Sequence, residues 1–300
     1  MPAGSALSTL NDSKPIRMRS LKQLTAMTRL RTGSLVAVAA AATFALSGCR
    51  GIPSSWKDSR PLSYTVRAGD FLISSDFVIA DDAPVIQELE QLQKDITNTL
   101  QLPPPRDRVV VYLFSGELAY RRYMRKTWPS LPARRAYFIG TSRELAVYSF
   151  QSPRVEEDLR HELTHGLLHA TLRTVPLWLD EGLAEYFEVR GPVTGGAHAE
   201  HLRTLQRSVR RNWNPSILRL EGIVDFQQFE RKDYAEAWAW VHFLLHEHPD
   251  GKQILLDYIS DLRESDSAGS FQARLQPDNG RLAAYLTRLD DSSDRRLRRL

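Results

Sequence analysis

The chain has 300 residues, 42% hydrophobic and 25% charged, a globular composition that excludes intrinsic disorder and collagen-like repeats. Its formal charge of +4 belongs to one end. Residues 1–48 hold six Lys/Arg and one acid, leaving 34 basic against 35 acidic groups, so charge does not support nucleic-acid binding. The single cysteine, Cys49, excludes an internal disulfide framework, a four-Cys zinc site and an iron–sulfur cluster.

Residues 34–47 (SLVAVAAAATFALS) form an apolar run preceded by basic residues. It is too short for a comfortable membrane span and has the length of a signal h-region. Leu46-Ser47-Gly48-Cys49 closes the run and resembles the lipobox of bacterial lipoproteins. The resemblance implies cleavage before Cys49, lipidation of Cys49 and attachment to a membrane of the cell envelope. Arg50, in place of Asp, implies the periplasmic face of the outer membrane under enterobacterial sorting. The alternative is an ordinary secretory signal with an incidental cysteine. The segment ahead of the apolar run is long, and Met18 and Met27 are alternative starts.

The reading divides the chain into a signal peptide (1–48), a polar, Pro/Ser-bearing tether (49–62) and one domain (63–300). The first lobe of that domain, 63–153, is sheet-bearing. Its residues 71–80 (FLISSDFVIA) predict a strand, and 82–100 a helix with Pro84 near its start. Residues 109–114 (VVVYLF) read as a buried strand, 116–126 as a helix, and 136–150 as a hairpin turning near Gly140-Thr141-Ser142. The second lobe, 154–300, carries helical patterns near 154–173, 178–190, 198–211, 225–247, 252–263 and 270–288. Strands first and helices afterwards predict an α+β fold.

His161-Glu162-Leu163-Thr164-His165 is the pattern that carries chemistry. On a helix, residues four apart share a face, so both imidazoles reach one ion. Zinc accepts neutral His nitrogen and, in catalytic sites, three protein ligands with an open position for water. A glutamate beside the first His can take a proton from that water. The helix start is read at Ser152 as N-cap and Pro153 as first helical residue, with Glu156, Glu157 and Asp158 complementing the helix dipole.

Trp178-Leu179-Asp180-Glu181-Gly182-Leu183-Ala184-Glu185-Tyr186 follows, and a helix beginning near Asp180 would put Glu181 in its first turn. Together the two segments resemble the gluzincin zinc metallopeptidases, and small bacterial gluzincin-like domains most closely. The resemblance implies a zincin-like fold: a small mixed N-terminal sheet with an active-site helix, then a mostly helical C-terminal lobe. It makes His161, His165 and Glu181 the ligands of one Zn2+, Glu162 the general base, and Glu185 an acid that orients a ligand imidazole. Asp233-Tyr234-Ala235-Glu236-Ala237 partly matches the helix start at which zinc aminopeptidases carry an oxyanion-stabilising Tyr, which implies that role for Tyr234. For Glu185 the alternative is a solvated helix acid, and for Tyr234 packing alone. No G-x-M-E-N segment precedes the motif, so exopeptidase specificity has no support.

The expected function is therefore hydrolysis of a peptide or protein substrate by a zinc peptidase anchored through Cys49. The alternative is a non-catalytic zincin-fold lipoprotein used for binding or assembly. In gluzincins an extended substrate pairs with the strand nearest the site, and residues 144–150 are expected to be that strand. His169 reads as packed or superficial, His198 and His201 as solvated beside a Gly-rich loop, and His242, His246 and His248 as surface or helix-end residues. The basic tail 295–299 reads as a solvated helix end.

Overall fold

A computed structural model of the chain describes residues 63–190, 196–275 and 279–289. The leader, the tether with Cys49, most of the Gly-rich loop after Arg190, and the basic tail lie outside the described residues.

The fold is α+β. Five strands form one mixed sheet: β1 (Tyr64–Ala68), β2 (Phe71–Ser75), β3 (Val109–Phe114), β4 (Tyr137–Gly140) and β5 (Leu145–Phe150), in the order β1-β2-β3-β5-β4. β1 and β2 form an antiparallel hairpin, as do β4 and β5, whereas β2–β3 and β3–β5 are parallel. Parallel neighbours require crossovers. These are supplied by α1 (Pro84–Leu100) and by the segment holding α2 (Glu117–Thr127) and β4.

The run VVVYLF is apolar throughout because β3 is covered on both faces. Val109, Val111 and Leu113 join the core under α1 and α3 (Val155–Thr171), and Tyr112 and Phe114 join the smaller core under α2. Phe138 and Val147 face the first core, and Tyr137, Ile139 and Tyr148 the second.

The helical part consists of α3, α4 (Leu177–Glu188), α5 (Ala199–Val209), α6 (Ile217–Glu221), α7 (Arg231–His246), α8 (Gly251–Glu264) and α9 (Asn279–Arg288). α3 lies against β3, β4 and β5 on one side and against α1 and α4 on the other, which is why nearly all of its residues are buried. Arg160 locks that position: its guanidinium donates to Glu88 of α1 (2.6 Å) and to the Phe187 carbonyl of α4 (2.6 Å). Among the described residues no helix is long and apolar enough to cross a membrane.

Several boundaries differ from the sequence reading. β1 was not anticipated, and β2 stops at Ser75, where the chain turns and Asp76 caps Ser115 N (2.6 Å). α3 begins at Val155: Ser152 closes a turn just ahead of it, accepting from Arg154 N and Val155 N. The expected 225–247 helix is split into a 3-10 turn (Phe226–Gln228) and α7, whose start is fixed by Asp233 accepting from Glu230 N. Only Asn279–Arg288 of the last predicted helix is helical among the described residues. Ahead of it the backbone around Phe271 is held by the Glu221 carboxylate.

Gly182 is the contact point of α4 and α7. A Cβ there would lie 2.7 Å from the Ala237 carbonyl oxygen and 3.0 Å from Val241. Because the obstruction is backbone, Gly182→Ala must push the helices apart. A loss of about 1–3 kcal/mol is expected, read as a lower thermal or denaturant midpoint; unchanged stability would show that the helix pair is loosely packed.

Candidate metal centre

α3 and α4 meet at three buried side chains. His161 and His165 stand one turn apart with ring centroids 4.9 Å from each other. Glu181 Oε2 of α4 lies 3.7 Å from His161 Nε2 and 3.8 Å from His165 Nε2, and all three side chains are fully buried. α4 starts at Leu177, directly after Pro176, so Glu181 falls in its second turn, not its first. The run-up of Trp178 and Leu179, both fully buried, pins that turn to the core.

The outer nitrogens of both imidazoles are committed. His161 Nδ1 is 2.8 Å from Glu188 Oε2, and His165 Nδ1 is 2.7 Å from Asp180 Oδ1. A carboxylate accepts from an N–H, so each Nδ1 carries a proton and each Nε2 is left facing the cluster. His161 Nε2, His165 Nε2 and both Glu181 oxygens are buried without a hydrogen-bond partner among the described residues, and they lie close to one another. Four such atoms in one place are costly unless something satisfies them. Two imidazole nitrogens and a carboxylate are the protein donor set of a catalytic zinc ion, so the residues present fit that ion.

The surrounding charges follow from the same contacts. Burial opposes ionisation of Asp180, but His165 and His169 outweigh it and hold the carboxyl well below its usual range. Burial likewise opposes charging of His161, yet Glu181 and Glu188 raise it well above the ordinary imidazole value. Glu162, beside His161, is 1% exposed, and burial pushes its carboxyl up to about 7. Its Oε2 accepts from Phe138 N of β4 at 2.6 Å.

That bond identifies the strand nearest the site. The expected strand, 144–150, is β5, and it is interior, paired with β3 on one side and β4 on the other. The edge strand on this side of the sheet is β4. Thr141 N pairs with Glu144 O across the turn, so by alternation Phe138 and Gly140 point their backbone groups away from β5.

Glu185 was expected to orient a ligand imidazole. Its carboxylate instead pairs with His201 Nε2 (2.8 Å) and lies 3.6 Å from His198 Nε2, tying α4 to α5. Asp180 and Glu188 take the orienting positions, one residue before and two turns after Glu181. The physical reason is reach: seven residues carry Glu188 back to the side of α4 that meets His161. Acids at those offsets from Glu181 were the available signal. His198 and His201 are correspondingly not solvated; their rings stack 3.8 Å apart. With Glu185 they can also gather round an ion, and two of the three side chains, His201 and Glu185, are already hydrogen-bonded to each other. His169 binds the second Asp180 oxygen (2.9 Å). His242 is buried, not superficial, and pairs with the Tyr285 hydroxyl (2.7 Å); His246 is exposed at the end of α7, as expected, and meets the Tyr186 hydroxyl (2.9 Å).

Tyr234 lies in the first turn of α7, 5% exposed, its ring edge-on to Phe229 at 4.9 Å. Burial, then the charges of Glu181, Glu185 and Glu162, push its ionisation far above the normal range, so the phenol stays a neutral donor beside the cluster.

A family described as "Protein of unknown function (DUF1570)" matches residues 157–266. The match contains every residue of the cluster and leaves the sheet outside it. No curated protein matches the chain.

The assignment of outer partners yields a graded expectation. Asp180→Asn and Glu188→Gln should each weaken zinc affinity about 10- to 100-fold, whereas Glu185→Gln should leave it within a few-fold. Competition with a chelating dye measures this. A Glu185 effect larger than the other two would reverse the assignment.

Proposed function

We propose that the chain is a zinc-dependent metallopeptidase acting on peptide bonds in the cell envelope, anchored through lipidated Cys49. The observation that carries this reading is the set of four unpartnered donor atoms of His161, His165 and Glu181 beside the buried Glu162 carboxylate. A lipobox-like end to the leader supports the anchor, and the resemblance of two motifs to gluzincins supports the reaction class.

His161, His165 and Glu181 would hold the ion. When bound, zinc supplies Lewis acidity, polarising a carbonyl and making water a better nucleophile at neutral pH. Glu162 takes the proton from the attacking water and returns it to the departing amine. A carboxyl pushed up to about 7 suits both directions of that transfer. Tyr234 donates its hydroxyl proton in a hydrogen bond to the oxygen on which negative charge develops. The outer edge of β4 offers the Phe138 carbonyl and the Gly140 backbone to an extended peptide, while the Phe138 N–H holds Glu162 at that edge. Asp180 and Glu188 keep both imidazoles in the tautomer that presents Nε2.

The test is hydrolysis of a mixed peptide library by the full chain supplied with zinc. Cleavage that stops on chelation and returns with zinc is expected. A library left intact under all conditions would overturn the catalytic reading.

A further inference from the structure

On the side of the sheet facing α2, a cavity of about 300 Å3 opens between α2, residues 131–134 and the start of β4. Leu118, Met124, Leu131 and Pro132 give it apolar walls. Two of its lining residues bring polar atoms that no described residue satisfies. Tyr120 is 1% exposed and its hydroxyl is buried without a hydrogen-bond partner. Arg134 Nη1 is buried and unpartnered as well.

The cavity is also unbalanced in charge. The Arg134 guanidinium sits over the rings of Tyr137 and Phe226 at 5.8 and 5.9 Å, and among the described residues no carboxylate pairs with it. Arg125 lines the same cavity and, among the described residues, bonds to a backbone carbonyl at 3.3 Å and to no acid. Arg121 alone is neutralised, by Glu117 at 2.6 Å. The Tyr137 hydroxyl is already engaged by the Pro132 carbonyl, a bond that closes the 132–137 loop into a wall.

A buried hydroxyl donor and an unpaired guanidinium within apolar walls are complementary to a carboxylate carried on an aliphatic stem. Arg offers the planar fork that a carboxylate fits, and charge-assisted bonds of this kind are about twice as strong as neutral ones.

The cavity adjoins the metal centre through one residue. Tyr137 lines it, and the next residue, Phe138, is the one whose N–H holds Glu162. Side chains of a strand alternate between faces. A peptide added along β4 therefore directs alternate side chains to the α3 face, where the ligands lie, and to the α2 face, where the cavity opens.

We propose that this cavity is a specificity pocket for a carboxylate-bearing residue of the substrate, with Arg134 and Tyr120 as its recognition groups. The proposal rests on the peptidase reading. The carboxylate can be an Asp or Glu side chain or the peptide's own C-terminus, and the test separates them.

Binding is measured by fluorescence anisotropy to the full chain carrying Glu162→Gln, with zinc present, so that no turnover is needed. Three labelled peptide pools are compared: internal Glu with both ends blocked, neutral with a free C-terminus, and neutral with both ends blocked. One of the first two is expected to bind at least tenfold more tightly than the third, and which one names the source of the carboxylate. Arg134→Met should reduce that preference to less than threefold. Tyr120→Phe, which keeps the ring and its packing against Phe114 and Phe150, should weaken it severalfold with an unchanged melting temperature. Equal affinity for all three pools, or a preference that survives both substitutions, would overturn the pocket. An Arg134-dependent preference in a chain that hydrolyses nothing would keep the pocket and remove the peptidase reading. Hydrolysis indifferent to carboxylates would do the reverse.

Discussion

Glu162→Gln is expected to lower peptide hydrolysis by about 10²- to 10⁴-fold, the usual contribution of a positioned general base, with zinc still bound. The substitution is close to isosteric. Gln keeps an oxygen that can accept from Phe138 N, so β4 should hold its place. It removes only the capacity to take a proton. His161, His165 and Glu181 are untouched, and their outer partners Glu188 and Asp180 belong to α4. Parallel assays of turnover and bound zinc on the same preparation separate the possibilities. Near-normal activity would remove Glu162 from the mechanism. Loss of zinc together with activity would make it a structural residue.

Glu181→Gln is expected to weaken zinc binding by more than the about 10- to 100-fold assigned to an outer partner, because it alters a group meant to touch the ion. The amide has nearly the volume of the acid, so α4 should remain packed on α7 at Gly182. What disappears is the negative charge shared between the two Nε2 atoms at 3.7 and 3.8 Å. Chelator competition should therefore rank Glu181→Gln below Asp180→Asn and Glu188→Gln, with Glu185→Gln nearest to wild type. Zinc affinity unchanged by Glu181→Gln would leave the cluster without its third ligand.

Much of this arrangement was legible in the chain because it rests on short-range periodicity. VVVYLF could only be a strand covered on both sides, and the four-residue spacing of His161 and His165 required a helix to have any meaning. Gly182 follows Glu181 because α7 passes within backbone contact there, a reason visible only once the helices are paired. The misplaced features depend on neighbours far along the chain. β1 is a short, largely exposed edge with little apolar pattern, held by pairing with β2. β5 precedes the helix of His161 and His165 in sequence, yet the hairpin folds β4 to the outside, so chain order pointed to the wrong strand.

The hydrogen-bond partners were the least legible of all. Asp180, Glu185 and Glu188 are three acids on one helix, and only the packing of α3 and α5 decides which imidazole each one meets. His198 and His201 resembled loop-side residues because the Gly-rich stretch precedes them. The N-terminal turn of α5 instead presses both against Trp238 of α7.

The most direct test of the account is the zinc content of the purified full chain after loading with zinc at neutral pH and removal of free metal. The account predicts one zinc per chain, retained in Glu162→Gln and lost when His161 or His165 is replaced by Ala. A folded chain that holds no zinc would contradict it.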